Sequence, residues 1–302
     1  MCVYGTAPLI DEGLYEDKLL GGVLLMCATV FCFTMIDSSA KWLTTVGFVT
    51  VQITFVRYFG HFITSLLILS PKHGYKVFYS KSPYLQCSRA VCLMVGTFFN
   101  FLALKYLALN ITVAIFFAAP LLISMLSIPI LGERVPLKQF LAVFLGFCGV
   151  LVIIKPGEVG FQFEMVYSLI ALFCASMYFI LTRLVTKVDT NATSQIYLSG
   201  IPTLVILPFV INNWIWPEDW SSYFVMGLMG LSATLGHSFT TIAHRWAKAS
   251  VLAPVIYVQL IFMTIVSWFV FNHLPTINTI FGTLIIIISG LYLIRLERHK
   301  KT

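Results

Sequence analysis

The stretch from residue 103 to 153 is present twice in this chain, and that duplication limits the fold more than any other feature. Sliding the sequence by 140 places sets ALKYLALNITVAIFF, which begins at Ala103, over AHRWAKASVLAPVIY, which begins at Ala243. Ala103 repeats as Ala243, Lys105 meets Arg245, Tyr106 meets Trp246, Asn110 meets Ser250, Phe117 meets Tyr257, and Ser127 repeats as Ser267. After one inserted residue Phe140 falls on Phe281 and Gly149 on Gly290. Each copy reads as a short polar link, a long apolar run, a tight turn with a proline and a second apolar run. It is one helical hairpin, made twice.

The runs around these hairpins have membrane character. About 20 apolar residues cross the hydrocarbon core as a helix, and ten runs approach or reach that length: 20–40, 48–69, 87–104, 109–131, 140–154, 165–184, 195–211, 223–243, 249–271 and 277–294. The chain is 59% hydrophobic and 10% charged, against roughly 25% charged in soluble domains. The expected fold is an all-α integral membrane protein whose ten spans form two five-helix repeats, 20–157 and 158–294, between an acidic tail at 1–19 and a basic tail at 295–302. The first tail carries Asp11, Glu12, Glu16 and Asp17 ahead of Lys18 and lacks the basic start of a cleaved leader. With five spans in each half, the second half must insert upside down relative to the first, which makes the repeat an inverted one.

Charge placement supports that count. Cytoplasmic links retain Lys and Arg. Fifteen cations fall on one side: Lys18, Lys72, Lys76, Lys81, Arg89, Arg134, Lys138, Arg183, Lys187, Arg245, Lys248, Arg295, Arg298, Lys300 and Lys301. The other side has three, Lys41, Lys105 and Lys155, and Arg57 is left within a span. Both termini are therefore expected in the cytoplasm, with Trp214, Trp216 and Trp220 anchoring the opposite interface. The net charge of +7 follows from this topology and calls for no nucleic-acid partner. None of the seven cysteines lies in a CxxC pair or a Cys/His cluster, so no metal, disulfide frame or cofactor is expected. No GxxxxGK[ST] loop is present to hold ATP.

The segment ALKYLALNITVAIFFAAPLLISMLSIPILGERV, followed by GFCGVLVIIKP, resembles the fourth and fifth spans of the EamA family in the drug/metabolite transporter superfamily. AHRWAKASVLAPVIYVQLI resembles the ninth span. IDSSAKWLTT with VQITFVRYFG resembles the first two spans of bacterial members. The resemblance extends over residues 20–294 and implies a multi-pass permease of the bacterial inner membrane. One departure stands out: Gly132-Glu133 of the first copy is matched by Asn272-His273 in the second.

Several polar residues lie within spans. Asp37 and Arg57 are isolated charges, costly in lipid unless paired or facing water. A rise of 1.5 Å per residue puts them roughly 7 Å and roughly 13 Å below the outer surface. They are expected to meet across the first hairpin, as a structural bridge or as a gate. Thr34, Asp37 and Lys41 share a helix face by their spacing. Thr234, His237, Thr241 and His244 form one polar stripe, which places His237 as either an interhelical hydrogen-bonding group or a proton acceptor. At mid-depth lie Gln259 and Tyr257, two residues apart and so unable to face one cavity together. Phe117, the repeat partner of Tyr257, favours the aromatic pair as cavity lining, with packing as the alternative. Asn100 is a further candidate, for substrate or for a neighbouring helix. Glu133 is expected to pair with Arg134 within its link. Pro120, Pro129, Pro202, Pro208 and Pro254 should bend their helices.

Two like halves with a path between them point to a secondary transporter for a small polar or amphipathic metabolite, such as an amino acid or a vitamin. Coupling, where present, comes from a proton, an ion or exchange; oligomeric state is open. Alternatives are a nucleotide-sugar or phosphate-ester antiporter, which needs cavity-facing cations, and a lipid-modifying membrane enzyme, for which the scattered His and carboxylates offer no clustered set.

Overall fold

The computed structural model of the protein describes residues 16–107, 115–154, 162–212, 214–271 and 277–299. The chain is all-helical there. The helices are α1 (Glu16–Thr45), α2 (Thr50–His73), α3 (Pro83–Tyr106), α4 (Ala119–Leu131), α5 (Leu137–Ile154), α6 (Met165–Val185), α7 (Asn191–Ile211) and α8 (Trp220–Trp246). The ninth, α9, is interrupted: Ala249–Leu252, a 3-10 segment Ala253–Tyr257, then Val258–Phe271. The last, α10, is Ile277–His299, so the helix continues through most of the segment expected as a basic tail. Five of these are long and apolar enough to cross a membrane by length and composition. Asp11, Glu12, Lys155 and the Asn272-His273 pair lie outside the described residues, whereas Glu16 and Asp17 of the expected acidic tail begin α1.

Packing follows the duplication. Adding five to each helix of the first half, and subtracting five in the second, turns the α1–α8 contact into the α6–α3 contact, α4–α6 into α9–α1, and α2–α8 into α7–α3. The α2–α7 and α5–α10 contacts map onto themselves. The bundle therefore carries the two-repeat relation in its contacts as well as in its residues.

Lipid inverts the usual sorting of side chains, since an apolar surface costs nothing there and an unsatisfied polar group costs several kcal/mol. The helices obey this. On α8 the whole stripe Thr234, His237, Thr241 and His244 is buried, whereas Phe224, Leu231 and Leu235 face outward. Leu24, Leu67, Leu204, Phe209 and Phe269 continue the outer apolar surface. Pro202 and Pro208 lie within α7, Pro129 within α4, and Pro120 and Pro254 begin the helical segments that follow the breaks in the fourth and ninth spans.

Glycines bring helix axes together where the halves cross, as small residues do in membrane interfaces. A Cβ on Gly60 of α2 would stand 2.9 Å from the Gly230 Cα of α8. Between α5 and α10, a Cβ on Gly282 would lie 2.5 Å from the Gly149 carbonyl oxygen. Gly96 of α3 and Gly236 of α8, 140 residues apart, play one part in the two copies: a Cβ on the first would meet Cys174 of α6 at 3.2 Å, and on the second Cys32 of α1 at 3.0 Å. Replacing Gly60 by Val should thus force α2 and α8 apart, with overpacking costs of about 1–3 kcal/mol. Gly227→Val, at a position with open space around it, serves as the control. The expected result is a clear loss of monodisperse protein in detergent size-exclusion chromatography for the first variant and near-wild-type yield for the second.

Candidate functional site

The polar interior is assembled around Arg57. It projects from α2 half-buried, and its Nη1 donates to the Thr97 hydroxyl of α3 at 3.3 Å. Its Nη2 lies 3.5 Å from Nε2 of His237 on α8. Thr97 and His237 occupy the same place in the two copies, 140 residues apart, so one guanidinium is held by equivalent positions of both halves. Because arginine only donates, Nε2 of His237 accepts. The imidazole proton then sits on Nδ1, 2.7 Å from the Tyr178 hydroxyl of α6.

Further groups lock this centre. The His61 ring of α2 stacks on His237 at 5.3 Å and 13°, and its Nε2 is 3.2 Å from the Gln195 side-chain oxygen of α7. The Gln195 amide donates to the His237 carbonyl at 3.2 Å and to the Thr241 hydroxyl at 3.1 Å. The Tyr58 hydroxyl lies 3.1 Å from the Thr97 hydroxyl. Arg89, counted above among loop cations, is instead 0% exposed in α3. It reaches Thr182 at 2.8 Å, Thr241 at 3.2 Å and the Ser194 carbonyl at 3.4 Å, with its guanidinium 5.2 Å from the Tyr178 ring centre.

Asp37 and Arg57 are not in ion-pair contact with each other. The reason is competition from other helices. The Gln259 amide of α9 reaches Asp37 Oδ2 at 2.9 Å, while Arg57 turns toward α3 and α8. Asp37, in the C-terminal half of α1, is nonetheless exposed and lies one turn from Phe33, whose ring meets His237 at 4.9 Å.

Phe117 and Tyr257 meet, with ring centres 6.5 Å apart at 30°, and each stands at the point where its helix is interrupted, before α4 and within α9. Both are almost fully buried. The Tyr257 hydroxyl donates to the Val143 carbonyl of α5 at 3.3 Å, and a Cβ on Gly146 would strike its ring at 2.7 Å. Tyr257 and Gln259 do face different ways: the first fills a seam against α5, the second reaches Asp37. Asn100 is half-buried on α3, one turn beyond Thr97 and on the same face.

Two carboxylates join the halves at one end of the bundle. Glu133 does not stay within its link. Gly132, in the left-handed conformation at φ 67°, ends α4 and directs the next residue across to α9. There the Glu133 carboxylate accepts from the Ala249 and Ser250 backbone N–H groups at 2.9 and 3.0 Å and from the Ser250 hydroxyl at 2.6 Å, satisfying helix-start donors that would otherwise be orphaned. Asp189, between α6 and α7, accepts from Ser80, the Lys81 N–H and Gln86. At the other end, the Gln52 side chain pairs with the Ile215 backbone, donating at 2.6 Å and accepting at 3.0 Å. Among the described residues no group of three His, Cys, Asp or Glu side chains forms a metal site.

His61, Arg89, Tyr178 and Gln195 were missed by sequence reasoning. The available signal was that each is a polar or ionisable residue inside a run, where such residues face the bundle interior.

The model of the EamA-like transporter family matches the chain twice, over residues 20–155 and 162–296. The chain is 25% identical over 249 residues to an S-adenosylmethionine uptake transporter of Rickettsia prowazekii, covering 80% of this chain and 83% of that one. It is 26% identical to a riboflavin transporter of Brucella anthropi, covering 89% and 97%, and 24% identical to a pseudopaline exporter of Pseudomonas aeruginosa, covering 94% and 99%. A solved crystal structure shares the fold with a TM-score of 0.76 at 18% identity, covering 95% of this chain and 99% of that one. A chain matched by the family model in both halves, with a polar interior built symmetrically from those halves inside an apolar shell, belongs to the EamA-like transporter family, within the drug/metabolite transporter superfamily of multi-pass membrane proteins.

Proposed function

We propose that the protein carries a small polar or amphipathic metabolite across the bacterial plasma membrane by alternating access. The cargo passes through the interior bounded by α1, α2, α3 and α8. The observation that carries this reading is the Arg57 guanidinium held between Thr97 and His237, one residue from each half. A charge shared by two like halves is where rocking of one against the other changes local contacts most. In this reading the Glu133 and Asp189 contacts close one mouth and the Gln52 contact secures the other, so each must loosen in turn. The relatives named above handle three different compounds in both directions, and the family alone selects no cargo. Purified protein in liposomes, offered a labelled panel of amino acids, vitamins and nucleoside derivatives, should accumulate at least one compound above empty liposomes. Repeating the assay with an imposed pH gradient separates proton coupling from exchange. Accumulation of none overturns the transport reading.

The cation asymmetry supports an arrangement with both termini in the cytoplasm. Cysteine placed at Trp216, an exposed position between α7 and α8, should react with an impermeant maleimide added to intact cells in a background free of other labelling. Cysteine at Lys76 should react only after the cells are opened. The reverse pattern overturns the orientation.

Among the mid-depth residues we assign Gln259 to the cargo path and the Phe117–Tyr257 pair to the hinge of the broken helices. Tyr257→Ala should empty the seam beside Gly146 and lower folded yield, as aromatic truncations costing roughly 3 to 5 kcal/mol do. Gln259→Ala should keep membrane abundance and raise the apparent KM several-fold, because it releases Asp37. Abundance on blots, read beside initial uptake rates, checks the assignment.

A further inference from the structure

The links between the second and third helices of the two repeats are built alike. The first follows α2 as a 3-10 turn, Gly74–Phe78, and runs on to Ser82 ahead of α3; the second lies between α7 and α8. Each is clasped by the start of the other half's second helix. Asp189, just ahead of α7, accepts from the Ser80 hydroxyl and from the Lys81 N–H at 2.9 Å, and Gln52, in the first turn of α2, holds the Ile215 backbone. The start of each helix thus lies beside the link that follows the other, so α2 and α7 run antiparallel and the two links stand at opposite ends of the pair.

The first link is a strap whose inner face is fully engaged. A 3-10 helix brings every third residue to one face, and Val77 and Ser80 are both buried. Val77 packs with Ala192 and Ile196 of α7, Ser80 joins the clasp, and the Tyr197 hydroxyl of α7 donates to the Phe78 carbonyl at 3.1 Å. The outer face keeps Tyr75, Lys76, Phe78, Tyr79 and Lys81, with Tyr84 following in the first turn of α3. All six are exposed, the three tyrosines by 80% or more. So much ring surface is stable where bilayer and water meet, because a tyrosine has an apolar body and a polar tip. The strap begins at that level, a few residues past the apolar stretch Thr50–Leu69 of α2, whose Leu67 and Ile68 face outward.

Charge separates the two links. Both carry exposed rings, Trp216 and Trp220 in the second, as an interfacial position favours. The second adds Glu218 and Asp219 and has no Lys or Arg, whereas the first adds Lys76 and Lys81 and has no Asp or Glu. Asp189 is buried and takes its hydrogen bonds from Ser80, the Lys81 main chain and Gln86, not from a lysine ammonium. Aromatic seating is common to both ends, and the ammonium groups belong to one. A lysine beside interfacial rings extends its charge to the headgroup level, where anionic lipid supplies the complement.

We propose that the outer face of this strap seats an anionic phospholipid, with Lys76 and Lys81 on the headgroup phosphate and the tyrosines bedded around it, and that the lipid braces the Asp189 clasp. Lys81 joins the two parts: its main-chain N–H is given to Asp189 while its exposed side chain takes the headgroup. The seat goes beyond the transport reading and holds whatever the cargo.

The test offers the purified full chain, in a neutral detergent, equal amounts of phosphatidylglycerol and phosphatidylcholine, read by native mass spectrometry. The anionic lipid should be retained in preference. Lys76→Gln with Lys81→Gln should lower that preference roughly thirtyfold, as two charges worth about 1 kcal/mol each near an anionic surface imply. Arg134→Gln with Lys138→Gln, which removes two exposed cations where α4 gives way to α5, should leave it unchanged. Hydrogen exchange in nanodiscs then reads the clasp. The Lys81 amide should exchange several-fold more slowly in phosphatidylglycerol than in phosphatidylcholine, and the difference should vanish in the Lys76→Gln, Lys81→Gln protein. Equal retention of the two lipids by the wild type overturns the seat, as does an equal loss in both double variants. Displacement of the lipid by inorganic phosphate makes the strap a site for free anions and overturns the lipid assignment. Equal exchange at Lys81 in the two membranes overturns the bracing.

Discussion

A guanidinium held inside an apolar bundle sets the conditions for everything around it. Arg57 cannot shed its charge, and hydrocarbon offers it no water. Its neighbours must therefore supply acceptors, and they come from α3 and α8, helices that are equivalent under the repeat. Those two helices can approach closely because they are thin where it matters. Gly230 lets α8 lie against Gly60 of α2, and Gly96 and Gly236 seat α3 and α8 on their partners in the other half. Packing of small residues and polar satisfaction thus depend on each other here: without the glycines the acceptors would stand too far away, and without the acceptors the arginine could not be buried.

The same logic explains how the halves are joined at their ends. Glu133 and Asp189 each use a carboxylate of one half to satisfy backbone or side-chain donors of the other. These groups lie near the ends of helices, where water can take over the hydrogen bonds when they part. Such contacts are suited to breaking and reforming. The Arg57 centre, held by one residue from each half, changes its partners when the halves move.

Much of the architecture was legible in the residues because two strong periodicities coincide: apolar runs of spanning length, and the 140-residue offset. Span positions agree, with ends differing by a few residues where helices begin ahead of their apolar runs, as at Pro83 for α3 and Trp220 for α8. The inward stripe on α8 was readable because lipid leaves polar groups only one direction to face. Partner choice was not readable. Asp37 and Arg57 lie on consecutive helices and are oppositely charged, yet a glutamine more than two hundred residues away reaches the carboxylate first. Arg89 reads as a topological marker in the sequence because a cation near the start of a span looks the same whether its side chain turns toward water or into the bundle. Tertiary packing decides that, and the third span's own residues do not record it.

The bond from Glu133 to the start of α9 has a consequence for how this protein can change over generations. Its acceptor is a side chain, but two of its three donors are main-chain N–H groups, which every residue except proline provides. Position 249 can drift among small residues without loosening the contact, whereas position 133 cannot exchange its carboxylate without loss. Paired substitutions would therefore leave no trace of this junction. A comparison of many related sequences in search of correlated changes would pass over a contact that ties the first half of the molecule to the second.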